Sequence, residues 1–242
     1  MIAAALASLA LIAPPGWAPD TAAADAFAAS RTGDVSYAVR TERQLWGRTP
    51  DRVVSNLSLV KAVVLVAALQ AAGDRSLTVA EREELEPMIR RSSNRAASAV
   101  VARLGHARID RTAHGAGLPR FRLAPRWGLT PTTARDQTRF FLHIDAAMPA
   151  RHRAYGMGLL ASVVPSQRWG VGALALPGWS VWFKGGWTDG PGLSEHQTAL
   201  LVRGRHRVAV SVLSTGQPGH GYARRTLRGM FLRLLTALAT AR

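Results

Sequence analysis

The chain has 242 residues, 48% hydrophobic and 19% charged, with 22 glycines and 13 prolines, a globular balance that excludes collagen-like and low-complexity classes. It contains no cysteine, which removes disulfide frameworks, cysteine zinc sites, thiol nucleophiles and lipid-anchored cysteines together. The net charge of +16 favours anionic partners such as a cell-wall polymer, but the arginines are scattered from Arg31 to Arg242. Their densest groups, around Arg203 to Arg207 and Arg224 to Arg228, lack interleaved aromatics, so nucleic-acid binding is not expected.

Residues 2–13, IAAALASLALIA, form an apolar run followed by two prolines and an alanine-rich stretch suited to cleavage. Residues 1–30 therefore read as a secretion leader, although its first arginine is Arg31 and a basic segment before the apolar run is missing. The run is too short to span a membrane, and no other segment offers about 18 uncharged apolar residues. A soluble, extracytoplasmic monomer without a membrane span is expected.

Next, VSYAVR from Val35 to Arg40 alternates like a half-buried strand, with QLWG as its hairpin partner. Leu59 to Ala72 is apolar nearly all round and predicts a helix buried within the protein. Further helices are predicted over Val79–Arg90, Ala96–Leu104 and Thr133–Ile144. WSVWFKGGW, HQTALLVR and VAVSVLSTG then predict an antiparallel meander. The closing helix carries Leu227, Met230, Phe231, Leu234, Leu235 and Leu238 on one stripe. Strands at both ends with helices between predict a discontinuous sheet domain, residues 31–57 with 165–242, and a helical subdomain, 58–164.

Only two of the 31 cationic residues are lysines, Lys61 and Lys184. An amine can give up its proton where a guanidinium cannot, so both positions are candidates for proton chemistry. Ser58-Leu59-Val60-Lys61 opens the buried helix, and the three-residue spacing puts hydroxyl and amine on one face. A serine there is a plausible nucleophile and a desolvated lysine a plausible base; taken alone, the pair also fits a plain helix cap. Ser92-Ser93-Asn94 stands between two helices, and Lys184-Gly185-Gly186-Trp187 ends an apolar strand where glycines permit close approach.

In order and spacing these three segments resemble the S-x-x-K, S-D-N and K-T-G set of the penicillin-recognising serine enzymes, in their class A β-lactamase-like branch. The resemblance runs from about Val35 to the C-terminus and includes Thr132-Thr133-Ala134-Arg135-Asp136 and Gln167-Arg168-Trp169-Gly170. It implies an α/β (α+β) fold of the β-lactamase/transpeptidase type, a five-stranded antiparallel sheet flanked by helices plus an all-helical subdomain. It also implies that Ser58 is acylated with Lys61 as proton acceptor, and that Ser92 passes a proton to the leaving nitrogen. Asn94 would bind substrate amides and Lys184 would supply positive potential. The Ser58 and Trp187 amides would form the oxyanion hole, with Gly185 and Gly186 beside the substrate. The resemblance implies neither a metal nor an organic cofactor.

Three departures accompany the likeness. Ser93 replaces the family's aspartate and Gly185 its threonine. The loop after the second motif lacks the family's water-activating glutamate: between Arg95 and Pro131 the sole carboxylate is Asp110, and Glu195 is remote in sequence. None of the seven histidines sits in a recognisable hydrolase or zinc motif. The expected function is a secreted serine hydrolase that forms an acyl-enzyme with β-lactams. The alternatives are a D,D-peptidase acting on D-Ala-D-Ala-type peptides and a non-catalytic peptidoglycan-binding protein.

Overall fold

The computed structural model describes residues 17–240. The chain opens with α1 (Thr21–Ala29), the hairpin β1 (Asp34–Arg40) and β2 (Leu45–Arg48), and a short strand β3 (Val54–Ser55). A 3-10 turn, Leu57–Leu59, leads into α2 (Val60–Ala72), then α3 (Val79–Arg90), α4 (Asn94–Leu104) and α5 (His106–Gly115). After β4 (Pro131–Thr132), α6 (Ala134–Leu142) and α7 (Ala150–Ala161) come the meander β5 (Ser180–Trp187), β6 (Leu193–Arg203) and β7 (His206–Gln217), and the closing helix α8 (His220–Thr240).

The main sheet has five antiparallel strands in the order β2-β1-β7-β6-β5, the fold class expected. Its strands come from both ends of the chain because β1 adds to the edge of the meander along β7. One face packs on α1 and α8, whose stripe from Leu227 to Leu238 is buried with Val208, Val210 and Val212. The other face meets α6 and α7. A separate two-stranded pairing joins β3 to β4.

Helix α2 is apolar all round because it is surrounded: α3, α4, α5 and α7 pack on it, and from Val60 to Leu69 every residue is buried. Each such Leu or Val contributes roughly 1.5–3 kcal/mol relative to exposure. Local signals set the ends of its neighbours. Thr78 and Glu81 form a reciprocal capping box at the start of α3, Ser93 caps α4 by accepting from the Ala96 N–H, and Thr133 caps α6.

The leader expected over residues 1–30 overlaps the packed body. Trp17 is buried against Trp46, and Ala24 and Ala28 of α1 lie against the sheet layer that α8 also covers. Tyr37 donates a 2.9 Å hydrogen bond to Asp25. Residues 17–30 are thus part of the fold, because small alanines let α1 approach α8 closely; the apolar run 2–13 lies outside the described residues. No helix among those described is long and apolar enough to cross a membrane.

Candidate active site

Ser58 sits in the 3-10 turn before α2, after Leu57, whose φ of 53° is left-handed and unusual for a side-chain-bearing residue. Its hydroxyl makes no capping bond to the helix, so it is not an N-cap. Instead Lys61 Nζ lies 2.9 Å from Ser58 Oγ. Lys61 is fully buried, and its amine also faces the Ser92 carbonyl at 2.5 Å, Asn94 Oδ1 at 2.8 Å and Ser92 Oγ at 3.2 Å. Burial disfavours its charged form and brings its pKa down to about 7. At neutral pH a large share of Lys61 is a free amine able to accept a proton.

Ser92 also has a left-handed backbone, with φ at 56°. This turn before α4 aims its hydroxyl between the two lysines of the chain. Lys184 Nζ, on β5, donates to Ser92 Oγ at 2.9 Å and to the Gly185 carbonyl at 2.7 Å. Lys184 is buried, and burial first and the Lys61 charge second push its pKa well down. The arrangement is a continuous path, Ser58 Oγ to Lys61 Nζ to Ser92 Oγ to Lys184 Nζ, in which each hydroxyl can accept from one amine while donating to another partner.

Glycines let β5 reach this cluster. A Cβ on Gly186 would stand 2.7 Å from the Ser58 backbone nitrogen, so only glycine lets the strand pass here and bring Trp187 beside Ser58. A Cβ on Gly185 would meet the Trp169 ring at 2.9 Å. The space that a threonine would need after the lysine is therefore taken by Trp169, which also stacks edge-on with Trp187 at 6.1 Å.

These groups open into a cleft of about 620 Å³ lined by Ser58, Asn94, Ser98, Trp127, Trp187 and Asp189, among others. Trp127 was not singled out from the sequence, yet its ring centre lies 5.0 Å from Lys61 Nζ and its indole N–H donates to Ser98 Oγ at 3.1 Å. Asp189 is the sole carboxylate in that lining. Asp110 lies elsewhere, accepting from the Leu123 N–H at 2.7 Å and so tethering the following loop. Glu195 is fully buried beneath the β5–β6 turn, held by His220 and Arg224. Among the described residues no group of three His, Asp or Glu side chains could hold a metal ion.

No family model matches the chain, and no curated protein matches it by sequence. Solved structures do. A β-lactamase from Sphaerobacter thermophilus superposes with a TM-score of 0.77 at 16% identity, covering 93% of this chain and 98% of its own. A class A β-lactamase from Bacteroides cellulosilyticus gives 0.78 at 13% identity, covering 91% and 97%. An ancestral class A β-lactamase gives 0.73 at 20% identity, covering 88% and 97%. The chain has the class A β-lactamase fold. This β-lactamase-like fold holds Ser58, Lys61, Ser92, Asn94 and Lys184 within one hydrogen-bonded cluster, at the mouth of which lie Gly186 and Trp187.

Proposed function

We propose that the protein is a secreted, penicillin-recognising serine hydrolase that forms an acyl-enzyme on Ser58 with β-lactams. The observation that carries this reading is the 2.9 Å contact between Ser58 Oγ and the buried Lys61 amine. Ser58 Oγ attacks the lactam carbonyl carbon while its proton moves to neutral Lys61 Nζ. The oxyanion forms opposite the Ser58 and Trp187 backbone amides, donors fixed in place before the charge develops. The C–N bond then breaks, and the leaving nitrogen takes the Ser92 hydroxyl proton, which Lys61 replaces. Asn94 orients the substrate amide, Gly186 lets β5 pass beside Ser58, Gly185 accommodates the Trp169 ring, and Lys184 holds the Ser92 hydroxyl. None of these steps requires a cofactor. The catalytic cluster joins a sheet unit, 31–57 with 165–242, to a helical one, 58–164.

Hydrolysis of the acyl-enzyme is slow in this reading. Trp127 faces Lys61, and the cleft offers no carboxylate besides Asp189 at its rim. The same observation favours a second reading, a D,D-peptidase acting on D-Ala-D-Ala-type stem peptides, for which a β-lactam is a slowly released mimic; the basic surface would then follow anionic wall polymer. Intact mass over time after adding penicillin G, with Ser58→Ala as control, tests both. A persistent adduct that needs Ser58 supports the acyl-enzyme; rapid loss of the adduct with drug consumption makes the protein an efficient β-lactamase. Absence of any adduct, with peptidoglycan fragments still bound by Ser58→Ala, would leave a non-catalytic binding protein.

A further inference from the structure

The rim of the Ser58 cleft carries charges that the acyl-transfer steps do not use. Asp189 stands in the turn between β5 and β6, its side chain 88% exposed. Its Oδ1 lies 3.1 Å from His220 Nε2, and the other ring nitrogen, Nδ1, lies 2.6 Å from Glu195 Oε1. Glu195 is fully buried and is also bonded by Arg224 Nε at 3.2 Å. The Glu195 backbone is paired with Trp187 in the β5–β6 register, so the chain of contacts is anchored next to the substrate strand.

We infer that Asp189, braced through His220 on the buried Glu195, selects substrates that carry a cationic group, an ammonium or guanidinium, on the side chain next to the scissile carbonyl. Two observations support cation chemistry here. Asp189 is the sole acidic group lining the cleft, and its Oδ2 takes no hydrogen bond from the described residues. Trp187, two residues away, and Trp127 line the same cleft and supply the aromatic faces on which organic cations rest. His220 donates to both carboxylates only as an imidazolium, the form that its bonds to Glu195 and Asp189 favour. Its proton offsets one negative charge, and Arg224 answers Glu195 from α8; Arg126, on the Trp127 loop, is the other charged residue lining the cleft.

This inference rests on the acyl-enzyme reading, and the test separates the two. Adduct formation is timed at about pH 6.5, below the usual α-amine range, with three penicillins that share one nucleus: penicillin G with a neutral side chain, ampicillin with an α-ammonium, and carbenicillin with an α-carboxylate. Rates are expressed relative to penicillin G in the same protein, which cancels differences in Ser58 reactivity, and these ratios are compared between variant and parent, which share Arg126. Asp189→Asn should lower the relative rate of ampicillin and raise that of carbenicillin, each by about threefold, the effect of one exposed charge pair. Asp189→Lys should move both further in the same directions. Relative rates unchanged in both variants, with adducts still forming, would overturn the role of Asp189 and leave the acyl-enzyme intact. No adduct with any of the three would overturn both.

Discussion

The Lys61 amine and the Trp127 ring face each other at 5.0 Å, so the wall of the cleft beside this lysine is aromatic rather than acidic. An indole can hold a cation over its face but cannot take a proton from water. Ser98 fixes that indole from α4, and the following Gly128 lines the cleft with open space around its Cα. In the proposed mechanism the step without a base on this wall is therefore removal of the acyl group, not its formation.

A carboxylate placed on that wall should restore the step. Gly128→Glu meets no steric obstacle at its Cβ, and a positioned general base contributes typically about 100-fold or more. The penicillin adduct of this variant should decay about 100 times faster than that of the parent, as read by intact mass after removal of free drug. An unchanged lifetime would mean that a group at this position cannot reach the acyl carbonyl.

Acylation should depend on pH through Lys61. Its pKa is lowered to about 7 by burial, and the reactive form is the neutral amine. Adduct formation should therefore be fast above pH 7 and fall about tenfold for each pH unit below it. Lys61→Arg keeps the charge and loses the base, so acylation should drop by about 1000-fold above pH 7 and the difference from the parent should shrink as pH falls below it, measured under single-turnover conditions.

The two glycines after Lys184 should respond differently to alanine. At Gly186 the added methyl would stand 2.7 Å from the backbone nitrogen of Ser58, which cannot yield without moving the nucleophile. At Gly185 it would meet the far edge of the Trp169 ring, a side chain able to turn. Gly186→Ala should reduce acylation by about 100-fold, as expected when a reacting atom is displaced by about 1 Å. Gly185→Ala should cost about tenfold at most. A crystal structure of each variant would show which neighbour moved.

Acid should weaken the helical unit through Glu81. Its carboxylate accepts from both terminal nitrogens of Arg75 and from the Thr78 N–H, and the Arg75 bond leads in lowering its pKa to about 2. A carboxyl whose folded pKa is depressed stabilises the fold above its unfolded value, about 4.3, and loses that contribution as pH falls toward 2. Glu81→Gln should thus cost about 2 kcal/mol at neutral pH and almost nothing near pH 2, by urea unfolding at the two pH values. An equal cost at both would assign the effect to the cap geometry instead of the charge.

Much of the fold was legible because its signals are local. The bounds of α3 follow from the Thr78–Glu81 cap, the all-apolar run from Leu59 to Ala72 could only be a surrounded helix, and the meander strands alternate or end at Gly204. Two elements were not legible for the same reason. The alanines of α1 suit a cleavage region and a close-packed helix equally, and only contact with α8 and Tyr37 separates the two. The two-residue strands β3 and β4 carry no period of their own and exist only by pairing Val54 with Thr132.

For the site, the sequence by itself determined the chemistry on offer: two lysines in a chain of arginines, each within a motif carrying a serine or paired glycines. It also determined what is absent, a glutamate between Arg95 and Pro131. Only the tertiary structure decided the distances, because Ser58, Ser92 and Lys184 are brought together from the turn before α2, the turn before α4 and strand β5. It alone turned Trp127 onto Lys61, filled the space beside Gly185 with Trp169, and linked Asp189 to Glu195 through His220. Residue types set what a group can donate or accept; burial and long-range pairing set which partner it meets and therefore its charge.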